Sequence, residues 1–240
     1  MQLDCNNKHI ILVGNCVHAL TKEQGKEIDS YDIVVRFGKG VPTNREKFLG
    51  SRTDIWATGS LRSKMRDQYP EDTQVLYNPS CFTHLEEYPH YEHTVMFTPD
   101  ELDYIHNEYL KSYTPNTDKR KRLSIGVLTA LYFCTKVNTF ASLTFINFDF
   151  FHKAVTFRDE MHNKIGVATS WHLPLAVPEF EDKEDALRNH PAHDSEQEKK
   201  IVQSLLYNRN DIYFIGDIAP EHGYEDVPEL AFDKYRKPIS

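Results

Sequence analysis

The sequence predicts an α/β protein whose mainly parallel central sheet is flanked by helices. Two observations predict this class. Short apolar, β-branched runs alternate along the chain with segments of helical period. The first two such runs are joined by a helix-length connection, which suits parallel strands rather than a hairpin. The chain has 240 residues, 40% of them hydrophobic and 27% charged, enough to bury the core of a single folded domain over 1–240.

The elements follow in order. His9-Ile-Ile-Leu-Val-Gly14 is a first strand closed by Gly-Asn, residues 20–28 carry helical character, and Tyr31-Asp-Ile-Val-Val-Arg36 is a second strand. Further strands are expected at 53–57, 74–77 and 94–97. Residues 100–113 read as a helix, with Leu102, Ile105, Tyr109 and Leu110 at i+3/i+4 spacings. Residues 124–134 form the strongest helix: Ile125, Leu128, Leu131 and Tyr132 fall on one face and Ser124 is a good N-cap. A buried strand at 144–148, a helix at 195–206 and a last strand at 211–216 complete the alternation. The stretch 174–191 is a proline-flanked acidic loop.

Composition excludes several function classes. Lys+Arg 28 against Asp+Glu 36 gives a formal charge of −8, which argues against a nucleic-acid partner. No stretch reaches the roughly 18 apolar residues of a spanning helix, and residues 1–8 are polar, so no targeting signal is expected. The four cysteines, Cys5, Cys16, Cys81 and Cys134, are dispersed without CxxC spacing, which predicts free thiols and a cytoplasmic location.

Chemistry is expected beyond the carboxyl ends of the strands, where helix N-termini offer unpaired N–H groups to anions. Gly14 and Asn15 lie at the first such junction: Gly14 permits close backbone approach and the Asn15 amide can donate to a phosphate or base, although Gly-Asn also serves as a plain turn. Ser124, Ile125 and Gly126 open the second helix and form another phosphate or ribose cradle, or a simple Ser cap. Two of the twelve histidines stand out. His172 follows Ser170-Trp171 before the acidic loop. His193 precedes the helix at 195–206, where the dipole disfavours the charged ring and keeps it able to accept a proton; the bland alternative is an exposed histidine beside Asp194 and Ser195 as caps. Glu198, five residues on, can reach back toward that turn. GxGxxG, GxxxxGK[ST] and GxSxG are absent, and Asn147-Phe-Asp149 supplies a single carboxylate, so no metal site is expected. Lys119-Arg-Lys-Arg122 is a solvated basic run or faces an anionic donor, an acidic acceptor or a membrane surface, the last allowing weak peripheral association.

These pieces together resemble the eukaryotic-type sialyltransferase family. Ile11-Leu-Val-Gly-Asn15, Ile28-Asp-Ser-Tyr-Asp-Ile-Val-Val-Arg36 and Gly50-Ser-Arg-Thr53 resemble its large motif. Ser124-Ile-Gly126 with the downstream Cys134-Thr-Lys-Val137 resembles the small motif, Ser170-Trp171-His172 the start of the third, and His193 with Glu198 the very-small H-x4-E motif. They occur in the family's order from about residue 10 to 216. The resemblance implies a nucleotide-binding, Rossmann-like fold of modified GT-A type. It implies inverting, metal-independent transfer of sialic acid from a CMP-sialic acid donor to a hydroxyl of a glycan acceptor, with no cofactor beyond that donor. Carried over by position, Asn15 contacts the CMP moiety, Ser124 and Gly126 hold the nucleotide, His172 bonds the departing phosphate and His193 is the general base. Arg36, Asp32 and Glu198 are architectural.

Departures from the pattern are informative. Gly38 stands where the family has Asn, Leu173-Pro174 follows His172 in place of aromatics, and Ile10 stands at the large-motif cysteine. The family's disulfide to Cys134 therefore cannot form. These features, with no anchor segment, point to a compact cytoplasmic relative, microbial or viral, acting at the inner face of the membrane. The motifs equally suit CMP-Kdo or a related 2-keto acid donor for surface polysaccharide, and a non-catalytic nucleotide- or glycan-binding module on the same fold. Residues 177–192 are expected to form a mobile lid, and loops at 60–70 and 81–99 to select the acceptor.

Overall fold

The computed structural model describes residues 4–38, 40–59, 66–78, 92–110, 122–150, 155–159, 164–168, 193–216 and 218. Five-residue apolar runs make the first two strands, β1 (His9–Val13) and β2 (Ile33–Phe37). A 3₁₀ turn (Val17–Leu20) and α1 (Gly25–Asp29) lie between them. The expected helix over 20–28 is thus shorter and later: residues 21–23 are exposed and offer no apolar face to hold a helix in place. Next come α2 (Glu46–Leu49), β3 (Ile55–Thr58), β4 (Gln74–Tyr77) and β5 (Thr94–Val95).

Helix α3 (Pro99–Tyr109) begins at a capping box. The Thr98 hydroxyl accepts from Glu101 N (3.3 Å) and Thr98 N donates to Glu101 Oε2 (2.9 Å). Helix α4 (Ile125–Tyr132) runs into a π turn (Phe133–Val137). It is buried nearly all round, from Gly126 to Leu131, rather than on one face, because it lies between the sheet and its neighbouring helices. After β6 (Ser142–Ile146) an antiparallel pair, β7 (Val155–Asp159) and β8 (Lys164–Ala168), forms a separate two-stranded sheet. Helix α5 (Ser195–Asn208) and β9 (Ile212–Ile215) follow.

The main sheet has seven strands among the described residues, ordered β5-β4-β3-β2-β1-β6-β9, and every pairing is parallel. Both faces are covered, as the unbroken apolar strands require. On one face Leu12, Val35, Leu76 and Phe145 pack with Ile105, Val127 and Ile201 from α3, α4 and α5. On the other Ile11, Val13, Val34 and Ile146 pack with Ile28 of α1. The expected α/β class, with its mainly parallel sheet and flanking helices, is observed. The order runs outward from β1 to β5 and then restarts at β6 on the far side of β1. That reversal puts a topological switch point, where doubly wound sheets open a crevice, between β1 and β6. Among the described residues no helix is long and apolar enough to cross a membrane.

Candidate active site

An open cleft of about 210 Å³ lies at this switch point. Gly14, Asn15 and Cys16 line it from the end of β1, and Asn147, Phe148, Asp149 and Phe150 from the end of β6. Ser124, Ile125 and Gly126 enter from the start of α4, and His193 and Glu198 from the start of α5. All the sequence-predicted site residues that are described therefore meet in one cleft. His172 and the expected lid at 177–192 lie outside the described residues.

The two glycines let the walls touch. A Cβ on Gly14 would lie 2.1 Å from Asn147 O, and one on Gly126 2.7 Å from the Phe148 ring. The space freed at each glycine is filled by the segment after β6, so their first duty is to seat that segment between β1 and α4. Phe148 is held there by edge contacts to Phe37 (5.7 Å) and Phe145 (5.3 Å). Asn15 Nδ2 donates to Phe37 O (3.0 Å), tying the end of β1 to the end of β2.

Glu198 joins the two helix starts. Its Oε1 accepts from Ser124 N (2.5 Å) and its Oε2 from the Ser124 hydroxyl (2.8 Å). The carboxyl is only 1% exposed, and burial, outweighing those two hydrogen bonds, pushes its pKa up to about 8. Ser124 thus spends its hydroxyl and amide hydrogens inside the protein. The amides of Ile125 and Gly126 belong to the first turn of α4, whose N–H groups find no carbonyl partner within the helix.

His193 is fixed from the same side. It forms an isolated parallel bridge with Arg122, and its Nδ1 lies 3.0 Å from Arg122 O and 3.6 Å from Glu198 Oε1. A carbonyl only accepts, so Nδ1 carries the hydrogen in the neutral ring and Nε2 is the basic nitrogen. Asp194 Oδ1 caps α5 by accepting from Gln197 N (3.2 Å).

The large-motif residues outside the cleft form a clasp. Asp32 Oδ2 accepts from His9 N (2.8 Å). Arg36, 1% exposed, donates through Nε to Arg52 O (2.8 Å) and through NH2 to Leu49 O (2.7 Å) at the end of α2. Asp29 accepts from the amides of Ser51 (2.8 Å) and Arg52 (3.0 Å), while Arg52 donates to Asp29 O (3.0 Å), Tyr31 O (2.7 Å) and Asp32 O (3.0 Å). Cys134 is a buried free thiol whose pKa burial raises to about 12, packed in one core cluster with Ile10. Among the described residues no group of three or more His, Cys, Asp or Glu is placed to hold a metal.

Sequence reasoning missed the contribution of residues 147–150, apart from weighing Asp149 as a metal ligand. The available signal was their place after a buried strand, which marks a site only once the strand order is known.

No family model and no curated protein matches the sequence. Solved structures match in fold. Two crystal structures of a mammalian sialyltransferase, one in complex with Gal-beta-1-3GalNAc-ortho-nitrophenol, superpose with a TM-score of 0.51. Each alignment covers 87% of this chain and 69% of theirs, at 16% identity. The chain therefore has an α/β fold similar to that of a mammalian sialyltransferase.

Proposed function

We propose that the protein is an inverting, metal-independent glycosyltransferase of modified GT-A type that moves sialic acid from CMP-sialic acid to a glycan hydroxyl. The observation that carries this reading is the switch-point cleft, where three distant segments resembling sialyltransferase motifs converge: Gly14-Asn15, Ser124-Ile-Gly126 and His193 with Glu198. The likeness in fold to a mammalian sialyltransferase supports it.

His193 Nε2 takes the proton of the acceptor hydroxyl as its oxygen attacks the anomeric carbon of the donor. The bond from that carbon to the phosphate oxygen breaks on the opposite face, inverting the centre and releasing CMP. The amides of Ile125 and Gly126, aided by the dipole of α4, bind the phosphate as its charge develops, and His172 donates to the same group. A monophosphate ester leaves with less charge than a diphosphate, so hydrogen bonds and a helix start suffice. A general base of this kind contributes roughly 10²–10⁴-fold.

CMP release tests the reading. With Gal-beta-1-3GalNAc-ortho-nitrophenol among the acceptors, CMP-sialic acid should release CMP faster than CMP-Kdo. Faster release from CMP-Kdo would shift the donor to another 2-keto acid, and CMP binding without release from any donor would favour a non-catalytic module.

A further inference from the structure

The buried carboxyl of Glu198 is part of the cleft wall, so an anion bound there meets an acid. An ionised carboxylate beside a phosphate is repelled by it, and burial leaves that repulsion poorly screened. A proton on the acid removes the repulsion. Burial has already moved the Glu198 pKa up to about 8, and Asp194 in the same turn pushes the same way. The other titratable groups around it are His193, whose Nδ1 lies 3.6 Å from Oε1, and Asp149 and Cys16, which line the cleft from the ends of β6 and β1.

The hydrogen bonds of Glu198 fix where that proton goes. Oε1 takes the amide hydrogen of Ser124 (2.5 Å) and can only accept there. Oε2 lies 2.8 Å from the Ser124 hydroxyl, a group that both donates and accepts. With Glu198 ionised, the hydroxyl hydrogen is spent on Oε2. With Glu198 protonated, Oε2 donates to Ser124 Oγ, which also accepts from Val127 N (3.5 Å). Both lone pairs of Oγ are then used and its own hydrogen is released. Ser124 is only half-buried and lines the cleft at the start of α4, where first-turn amides already favour an anion. We propose that Glu198 takes up a proton from solvent when the cleft binds the phosphate of its ligand, and that this proton turns the Ser124 hydroxyl from a donor to Glu198 into a donor to the phosphate. Glu198 is then a positioning residue that acts on the ligand through Ser124. This rests on the reading of the cleft as a CMP-sugar site and adds a proton to the binding step.

Calorimetric titration of the full chain with CMP, in buffers of differing ionisation enthalpy, counts the protons exchanged on binding. At about pH 8.5 the free phosphate is fully ionised, its own pKa lying near 6. The wild type should take up roughly half a proton to one proton there, and its CMP affinity should fall by roughly tenfold or more between about pH 7.5 and 9.5. Glu198→Gln, whose amide reproduces the protonated pattern of contacts, should bind CMP with no proton uptake and an affinity flat across that range. Ser124→Ala removes a hydrogen bond that favours the ionised acid and the hydrogen offered to the phosphate. It should bind CMP roughly tenfold more weakly at neutral pH, with the fall in affinity moved to higher pH. CMP binding by the wild type without proton uptake overturns the proposal. Uptake undiminished in Glu198→Gln also overturns it, by placing the proton on His193 or on the phosphate. Should Glu198→Gln not fold, a pH dependence unmoved in Ser124→Ala overturns it instead. A wild type that does not bind CMP at any pH removes the CMP-sugar reading itself.

Discussion

Glu198 is a buried acid whose hydrogen bonds pull its pKa one way while burial pulls it further the other. Its folded pKa is raised from 4.5 to about 8. Below pH 4.5 the group is protonated whether the chain is folded or not. Between pH 4.5 and 8 the folded chain keeps a proton that the unfolded chain releases, so stability falls as pH rises through that window and levels off above it. Glu198→Gln, a permanent mimic of the protonated form, should lack this fall. Its unfolding free energy should approach or exceed the wild type's as pH rises from 5 to 9, the difference changing by on the order of a few kcal/mol. A constant difference across that range would show that Glu198 is ionised throughout. The H-x4-E spacing placed Glu198 beside the histidine in the sequence. The partner that takes both its oxygens, Ser124, lies 74 residues away in the chain, and no local pattern encodes that contact.

The large motif acts at the level of elements, as a fastening between the β1–β2 crossover and the turn after α2. Arg36 and Arg52 carry it by donating to carbonyls at the ends of α2 and α1, which those helices cannot satisfy themselves. Burial lowers the Arg36 pKa to about 10, which leaves it charged at neutral pH. Arg36→Met leaves the carbonyls of Leu49 and Arg52 unpaired and should cost roughly 3–5 kcal/mol in denaturant unfolding. The folded fraction should still bind CMP with unchanged affinity, because Arg36 does not line the cleft. Unchanged stability would contradict the fastening role. Elements of this kind were legible where apolar runs are compact: β1 and β4 lie within a residue of their expected bounds, and β2 starts two residues later than expected. The β7–β8 pair escaped the reading although Val155, Thr156, Ile165 and Val167 are β-branched, because two five-residue strands outside the main alternation carry little period of their own.

On the scale of the whole molecule, the charge of −8 and a proposed anionic donor are compatible. The cleft offers helix amides, which bind phosphate without any net positive charge. Strand order gathers these groups, and it is the feature least legible in the sequence: the alternation predicted parallel strands but not that β6 returns beside β1 to open the cleft there. In the proposed function His193 is the base and the surrounding amides are the donor site, two roles that one substitution can separate. The most direct test is sialic acid transfer from CMP-sialic acid by the wild type and His193→Ala, with CMP affinity measured for both. Transfer should fall by roughly 10²–10⁴-fold in the variant with CMP affinity within about threefold of wild type. Transfer by His193→Ala at near the wild-type rate would contradict the assignment of the base and of the cleft as the place of reaction.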